Sequence, residues 1–273
     1  MFQARRKKNG LLAASDILEL IYHATVRNLR KTDRSPIIGL FKSIMQALVL
    51  LAVFYLMFAI LGLRSSAVRG DFLLYLMSGI FLFLTHTKAV GAIVGAEGPT
   101  SAIMLHAPMN TVIAISAAAL SALYTQILAV LVVLSLYYAL VTPFEIYDPV
   151  GAAAMFLLAW FTGVAVGMVF LALKPWFPGF VGIASAVYRR ANMIASGKMF
   201  LANSLTPQML MLFDWNPLFH TIDQARGFVF INYNPHNSSI TYPIYVSLTL
   251  IMIGLMGEFY TRRRASPSWG AGR

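Results

Sequence analysis

The most polar stretch in the apolar part of the chain is FDWNPLFHTIDQARGFVF, residues 213–230. It carries a histidine, an arginine and two aspartates, which are side chains that exchange protons, form ion pairs or bind ligands. Asn216 followed by Pro217 predicts the start of a helix, with asparagine as the cap and proline at the first helical position. On that helix Asp223 and Arg226 stand three residues apart, a spacing that allows them to pair.

Elsewhere the chain has no pattern of residues typical of catalysis or metal binding. Its five histidines include no pair spaced four apart, and the absence of cysteine removes thiolate ligands and a cysteine nucleophile. Neither the GxSxG motif nor the phosphate-binding motif GxxxxGKS or GxxxxGKT occurs. The ten acidic residues are dispersed, apart from the spacing of Asp16 and Glu19. We therefore predict that this chain is not an enzyme and holds neither a metal nor a cofactor.

The elements around these residues are predicted to be membrane-spanning helices. Of the 273 residues, 59% are hydrophobic and 11% are charged, whereas a soluble protein carries about 25% charged residues. Several apolar runs reach the roughly 20 residues that a helix needs to cross a bilayer. We predict an all-α integral membrane protein with one six-span domain over residues 40–260. The predicted spans are 40–63, 72–94, 110–140, 150–173, 183–205 and 240–260.

Residues 1–39 are predicted to form a cytoplasmic tail and an amphipathic helix. Ser15 or Asp16 is suited to cap the start of this helix. Apolar residues then recur at helical spacing, and Arg27 and Arg30 belong to the charged face. Such a helix lies at the membrane surface. The alternative is a basic segment that only orients the first span.

The distribution of charge predicts the orientation of the chain in the membrane. Nine of the 21 lysines and arginines lie in residues 1–42 and four lie in 262–273, so the positive-inside rule places both termini in the cytoplasm. The loop at 141–149 has two acidic residues and no basic one, which fits the outer side. Residues 261–273 are then a cytoplasmic tail. Because the net charge of +11 comes from residues that flank spans, we do not expect nucleic-acid binding.

The loop at about 97–109, EGPTSAIMLHAPM, is the first of two segments between spans that suggest a function. Gly98 and Pro99 end the second span, and Pro108 closes a short helix of mainly apolar residues. An exposed apolar turn on the cytoplasmic side indicates docking to a partner. The alternative is a loop that lies on lipid headgroups.

The second segment, at about 206–239, precedes the last span and contains the polar stretch at 213–230. Its thirteen-residue helix rises only about 20 Å, against a hydrocarbon core of about 30 Å. We therefore predict a re-entrant segment of short helices whose polar face meets protein or a water-filled path. An external amphipathic helix that only links spans is the alternative. Lys198, deep in the fifth span, is expected to face water or a partner chain.

Four stretches, taken together with the six spans, resemble the membrane-spanning permease of bacterial polysaccharide ABC exporters, the type-2 permeases of capsule and O-antigen export. They cover the chain from roughly residue 26 to 260 and follow the order of the family. The stretches are VRNLRKTDRSPIIGLF at 26–41, SAIMLHAPMNTVIAISAAAL at 101–120, YRRANMIASGKMFLANSLTPQ at 188–208 and WNPLFHTIDQARGFVF at 215–230. One departure is GAEGPTS before the second stretch, which lacks the basic residues expected there.

The resemblance implies roles for individual residues. Coupling to an ATPase is expected for Leu105, His106, Pro108 and Met109 in the loop, and for Arg27 and Arg30 in the interface helix. A re-entrant gate is expected at Asn216, Pro217, His220, Asp223 and Arg226. Aromatic side chains near the outer face that are candidates to stack on a glycan, or else to form an interfacial belt, are Tyr137, Tyr138, Trp215, Phe219, Phe230 and Tyr233.

The resemblance also implies a function. Two copies of this chain would line one path in the bacterial inner membrane, and two separate ATPase subunits would bind ATP and Mg on the inner face. A lipid-linked polysaccharide would move outward between them, with membrane lipids around the complex. Two alternatives remain open: a type-2 ABC permease for a lipid, drug or other small amphiphile, and a membrane scaffold or enzyme without transport activity.

Overall fold

The structure, a computed structural model, describes residues 10–32, 35–62, 70–98 and 110–264. Within these ranges the chain is helical and has no strand. The helices are α1 (Gly10–Thr32), α2 (Pro36–Ile60), α3 (Phe72–Val94), α4 (Thr111–Leu140), α5 (Pro149–Leu173), α6 (Pro178–Ala195), α7 (Pro207–Phe213), α8 (Pro217–Val229) and α9 (Thr241–Arg264), with a single 3-10 turn (Ala202–Ser204) before α7.

Five of the described helices are long and apolar enough to cross a membrane, namely α2, α3, α4, α5 and α9. This confirms that the protein is helical and has several candidate spans, as run length and apolar composition predicted. The helices begin and end within a few residues of the predicted bounds. The count of six spans and the cytoplasmic position of the termini stay predictions.

The predicted fifth span differs from the structure in length. The sequence predicts one helix over 183–205, but α6 ends at Ala195, ten residues earlier. Gly197 then has a φ of +69°, which is a left-handed conformation that a helix cannot contain. Two arginines, a tyrosine and an asparagine between 188 and 192 also make α6 more polar than the five candidate spans. The apolar run is therefore divided into α6 and an irregular segment.

The N-terminal helix is longer than its predicted core. It begins at Gly10, so the prediction that Ser15 or Asp16 caps its start is wrong. Its Ala24 is buried against Ile113 and Ala117 near the start of α4. Arg27 and Arg30 are exposed on the same helix. The helix therefore has an apolar side that contacts the bundle and an exposed basic side. The amphipathic pattern of the sequence predicts this division.

Helix α3 lies at the centre of the bundle. It contacts α2, α4, α5, α6 and α8. Of the apolar 18-residue stretch of α3, 83% is buried, whereas the figure for the corresponding stretches of α2 and α9 is 22%. The closest approach is to α5, where two glycines replace side chains: a Cβ at Gly163 would lie 2.5 Å from the carbonyl oxygen of His86, and one at Gly167 would lie 2.7 Å from Cβ of Ile93. The contact therefore depends on small residues.

A buried histidine connects three helices at this level. The His86 ring lies 2.9 Å from the Thr162 hydroxyl on α5 and 3.0 Å from the Tyr188 hydroxyl on α6. Both ring nitrogens thus have partners, which is the usual requirement for a polar side chain in an apolar environment. These bonds fix α6 beside the α3–α5 pair, although α6 makes few other contacts with it.

The glycine contact gives a stability prediction. Gly163→Ala should destabilise the protein by about 1–3 kcal/mol, because the added methyl group would meet the α3 backbone and the core cannot expand without strain. Thermal unfolding of the detergent-solubilised protein, followed by tryptophan fluorescence, measures the effect. Gly182→Ala in α6 is the control, since nothing lies within 4 Å of its added Cβ. Equal unfolding midpoints for the two variants would contradict the assigned α3–α5 packing.

Candidate functional site

Helix α8 begins as the sequence predicts. The side-chain oxygen of Asn216 accepts a hydrogen bond from the backbone N–H of Leu218 at 3.0 Å, and Pro217 occupies the first helical turn. The amide group of Asn216 also donates to the side chain of Asn192 at 2.9 Å and to the carbonyl of Ala195 at 2.8 Å. A single capping residue therefore joins the start of α8 to the end of α6.

The whole of α8 is packed inside the bundle, mainly against α5 and α3. At thirteen residues, it is too short to cross a membrane. The polar face of this re-entrant helix was expected to meet either protein or a water-filled path. In the structure it is covered by protein. Its buried residues are Pro217, Leu218, Phe219, His220, Thr221, Ile222, Asp223, Ala225, Arg226 and Val229. A linking helix outside the bundle would not be buried in this way.

Arg226 binds the irregular backbone that follows α6. One of its terminal nitrogens donates to the carbonyl oxygens of Gly197 at 3.0 Å and Phe200 at 2.5 Å, and the other donates to that of Lys198 at 2.5 Å. The guanidinium plane lies 4.3 Å from the centre of the Tyr75 ring on α3, which is a favourable cation–π distance. The side chain is fully buried. The arginine therefore donates to three carbonyls of this segment, of which that of Gly197 also accepts the backbone N–H of Phe200 at 3.2 Å.

Asp223 binds the next part of the same segment. Its carboxylate accepts hydrogen bonds from the backbone N–H of Ala202 at 3.1 Å, the Tyr233 hydroxyl at 2.5 Å and the Ser238 hydroxyl at 2.7 Å. Burial and the nearby carboxylate raise the pKa of the Tyr233 phenol, so that it remains a donor. The spacing of Asp223 and Arg226 would allow them to pair, but in the structure each group binds the other partners named here.

His220 joins the turn before α8 to the start of α9. Its Nδ1 accepts the backbone N–H of Ser239 at 3.1 Å, so its Nε2 carries the proton and donates to the carbonyl of Asp214 at 2.6 Å. The Asp214 carboxylate lies 3.2 Å from the same Nε2. The ring packs on Tyr242 of α9 at 4.7 Å between centroids. The five predicted gate residues are thus brought together on one short helix and its cap.

Lys198 does not face water or a partner chain, and that prediction is wrong. It is 1% exposed, its Nζ contacts the carbonyl of Met193, and it lies 4.1 Å from the centre of the Phe83 ring and 5.0 Å from that of Phe54. An ammonium group in an apolar interior is stabilised by ring faces and by a carbonyl dipole. Its position in the sequence predicted that Lys198 lies deep in the fifth span, but it did not predict these partners.

The candidate glycan-stacking rings divide into buried and exposed sets. Trp215 is 62% exposed and Tyr138 is 55% exposed, so both rings are available to a ligand or to lipid. The other four candidates are buried in the chain, namely Tyr137, Phe219, Phe230 and Tyr233. Tyr137 donates to the carboxylate of Asp71, the cap of α3. Stacking of the buried rings on a sugar would require the bundle to open.

The predicted coupling residues fall mostly outside the described ranges. Leu105, His106, Pro108 and Met109 lie outside the described residues, in the loop that joins α3 to α4. Arg27 and Arg30 are described and exposed on α1. The helix α1 packs on the start of α4, which is the first described element after these residues in the sequence.

Sequence reasoning missed one residue that makes room for the Arg226 site: a Cβ at Gly79 on α3 would lie 2.9 Å from Nη2 of Arg226. A Cβ at Gly197 would lie 2.5 Å from the Phe219 ring. The family resemblance of residues 188–208 implies a break in the fifth span at the Ser-Gly pair 196–197, where Gly197 lies. No sequence signal distinguishes Gly79 from other glycines in apolar helices.

The arrangement holds a short polar helix inside an apolar bundle. Among the described residues, no group of three or more histidine, aspartate or glutamate side chains is placed to hold a metal. No protein-family model matches the chain, and no curated protein matches it at a significant level.

The site gives a prediction about local stability. Arg226→Lys keeps the charge but replaces a planar fork with one nitrogen, which cannot reach all three carbonyls. We expect the free energy of unfolding to fall by about 3 kcal/mol, because the carbonyls of Lys198 and Phe200 would lose the arginine donors, while that of Gly197 would keep the Phe200 backbone N–H. Hydrogen–deuterium exchange should rise at residues 197–206 more than in α3. Arg190→Lys, at an exposed position, is the control. Equal exchange at residues 197–206 in the two variants would show that Arg226 does not hold this segment in place.

Proposed function

We propose that this protein is the membrane-spanning subunit of an ATP-driven ABC exporter that moves a lipid-linked polysaccharide outward across the bacterial inner membrane. The chain would act as a permease rather than an enzyme. ATP and Mg would be held by a separate ATPase subunit, and two copies of this chain would form one path. The helical bundle with several candidate spans supports a membrane protein, and the resemblance to polysaccharide permeases suggests the transport class.

The observation that carries the proposal is the buried half-length helix α8. Membrane proteins tolerate non-helical backbone at depth only where protein or a water-filled cavity satisfies its polar groups. In transporters, interrupted helices of this kind are found next to the substrate path. Here Arg226 and Asp223 satisfy the interrupted backbone from one side. A modest rotation of α8 would release those contacts, which is the behaviour that a gate requires.

The opposite end of the chain supports coupling to an ATPase. The exposed Arg27 and Arg30 on α1 lie beside the start of α4, which directly follows the loop at 97–109. A rigid contact between α1 and α4 would transmit a pull on that loop to the bundle. The roles of Leu105, His106, Pro108 and Met109 in receiving the pull rest on the family resemblance.

The outer faces of the bundle suit a second copy and membrane lipids. Large apolar side chains are exposed along α2, α6 and α9, and in a membrane such surfaces contact acyl chains or another helix. Exposed Trp215 and Tyr138 are the rings that a glycan could reach without a change in this fold. The proposed path therefore lies between copies, close to α7 and α8.

The ATPase partnership gives the next prediction. The full chain, purified from its host membrane, should carry a separate P-loop ATPase identified by mass spectrometry. The amount of ATPase that co-purifies with the double variant His106→Ala, Pro108→Ala should be at least about tenfold lower than with the wild type. Glu145→Gln is the control, because residue 145 lies at the other end of α4. Complete retention by the double variant would contradict the coupling assignment.

The substrate class gives a separate prediction. A deletion strain should lose surface polysaccharide and accumulate lipid-linked glycan inside the cell, and the wild-type chain should restore export. Trp215→Ala should lower the restored export rate about two- to tenfold, in line with a stacking contact of ~0.5–1.5 kcal/mol, whereas Trp215→Phe should keep most of it. If the deletion strain keeps normal surface polysaccharide and accumulates no internal glycan, although the purified wild-type chain binds the ATPase, the small-amphiphile alternative is favoured instead.

A further inference from the structure

A groove of about 330 Å³ lies between α5 and α9. Its volume falls within the ~300–1,000 Å³ of small-ligand sites. Both helices are long and apolar enough to cross a membrane, so in a bilayer the groove meets either acyl chains or another helix. Leu173 and Ile253 are exposed at its edges, which shows that it opens away from the bundle. Its walls are Val169, Ala172 and Leu173 of α5 and Ile253, Gly257 and Tyr260 of α9.

The small residues of α9 at this level are already used by the contact within the chain. A Cβ at Gly254 would lie 2.8 Å from Cβ of Met168, and one at Gly257 would lie 2.9 Å from Cβ of Ala172. Glycines in membrane helices commonly let a neighbouring helix approach, and here that neighbour is α5 of the same chain. They are therefore not available to bring in a helix of a second copy, which leaves lipid as the occupant that the groove suits.

Aromatic and basic side chains mark one end of the groove. Trp176 belongs to the lining there: its ring stacks on that of Tyr260 at 5.9 Å between centroids, and its Nε1 donates to the Thr261 hydroxyl at 2.9 Å. The guanidinium of Arg264 lies 4.5 Å from the centre of the same Tyr260 ring. Tryptophan and tyrosine are enriched where the hydrocarbon core meets the headgroups. This end of the groove is therefore suited to the headgroup of a lipid whose acyl chain lies between the helices.

The charge at this end is positive. Arg262, Arg263 and Arg264 are exposed in the last turn of α9. Arg262 donates to the side chain of Asn110 at 3.3 Å, and Arg263 lies over a ring outside the groove lining. Glu258, the acidic residue nearest in sequence, is buried and does not line the groove. Arg264 is thus the arginine of this turn that lies beside the groove, where an exposed cation attracts an anionic headgroup.

We propose that this groove binds one anionic phospholipid, with an acyl chain between α5 and α9 and the headgroup phosphate at Arg264. The apolar walls match the acyl chain, and the planar guanidinium fits phosphate oxygens. A zwitterionic lipid with the same chains would fill the apolar part of the groove but gain less from the arginine, because its headgroup carries no net charge. The site is formed by one chain alone, so it does not depend on the exporter proposal.

Native mass spectrometry of the full chain in neutral detergent tests this proposal, and the same spectra report any dimer. The probes are phosphatidylglycerol, which is anionic, and phosphatidylcholine with the same acyl chains, which is zwitterionic. We expect the first phosphatidylglycerol to bind at least about fivefold more tightly than the first phosphatidylcholine, which is the gain from one basic residue at an anionic lipid surface. Equal affinities would overturn the proposal, since they would show general contact with lipid instead of a site.

A pair of arginine variants locates the headgroup. Arg264→Gln should lower the preference for phosphatidylglycerol over phosphatidylcholine about fivefold, because it removes the cation beside the groove. Arg263→Gln removes an equal charge from an exposed neighbour, and it should change the preference less than about twofold. Equal effects of the two variants would show attraction to the whole basic turn and would overturn the assigned contact.

A pair of valine variants locates the acyl chain. Val169→Phe puts a ring into the groove and should weaken binding of the first lipid at least about fivefold. Val150→Phe, at an exposed position at the start of α5, is the control and should change it less than about twofold. Both variants should keep an unfolding midpoint near that of the wild type. Unchanged lipid binding by Val169→Phe, or a loss of dimer in place of lipid, would overturn the proposal, the latter by making a second copy the occupant.

Discussion

The interaction on which the structure depends most is the set of hydrogen bonds from Arg226 to the carbonyls of residues 197, 198 and 200. Helix α6 stops at Ala195, inside a bundle whose other described helices are largely apolar. Carbonyls released at such a break cannot turn to water, and each unsatisfied one costs free energy of the order of a lost hydrogen bond. A long cationic side chain from α8 provides three donors at once, so the break and the short helix stabilise each other.

Several further features follow from that contact. Gly79 leaves room for the guanidinium on α3, and Tyr75 covers its face. Asp223 holds the backbone at Ala202, and Asn216 holds the end of α6 at Ala195. With His220 bound to the start of α9, the short helix contacts α3, α5 and α9. A group of buried polar residues thus replaces the regular helix that an apolar run would otherwise form.

The opposite end of the bundle is organised by a different principle. There a cavity of about 550 Å³ is lined by residues of α1, α2, α3, α4 and α6, many of them glycine or alanine. Around α8 the bundle is therefore closed by hydrogen-bonded polar groups, whereas the region between α1, α2, α3, α4 and α6 holds an open cavity.

The sequence by itself determined the helical membrane class, the positions of five long apolar helices and the start of α8, because run length, apolarity and an Asn-Pro cap are local properties. It also identified the polar residues of α8 correctly as a group. Only the tertiary structure decided their partners: Arg226 binds backbone 26 to 29 residues away, and Asp223 takes a tyrosine and a serine instead of the neighbouring arginine. The early end of α6, the burial of Lys198 and the cavity between α1, α2, α3, α4 and α6 were likewise decided by packing. Each depends on residues from separate helices that become neighbours only when the bundle forms, and a pattern along one helix does not contain that information.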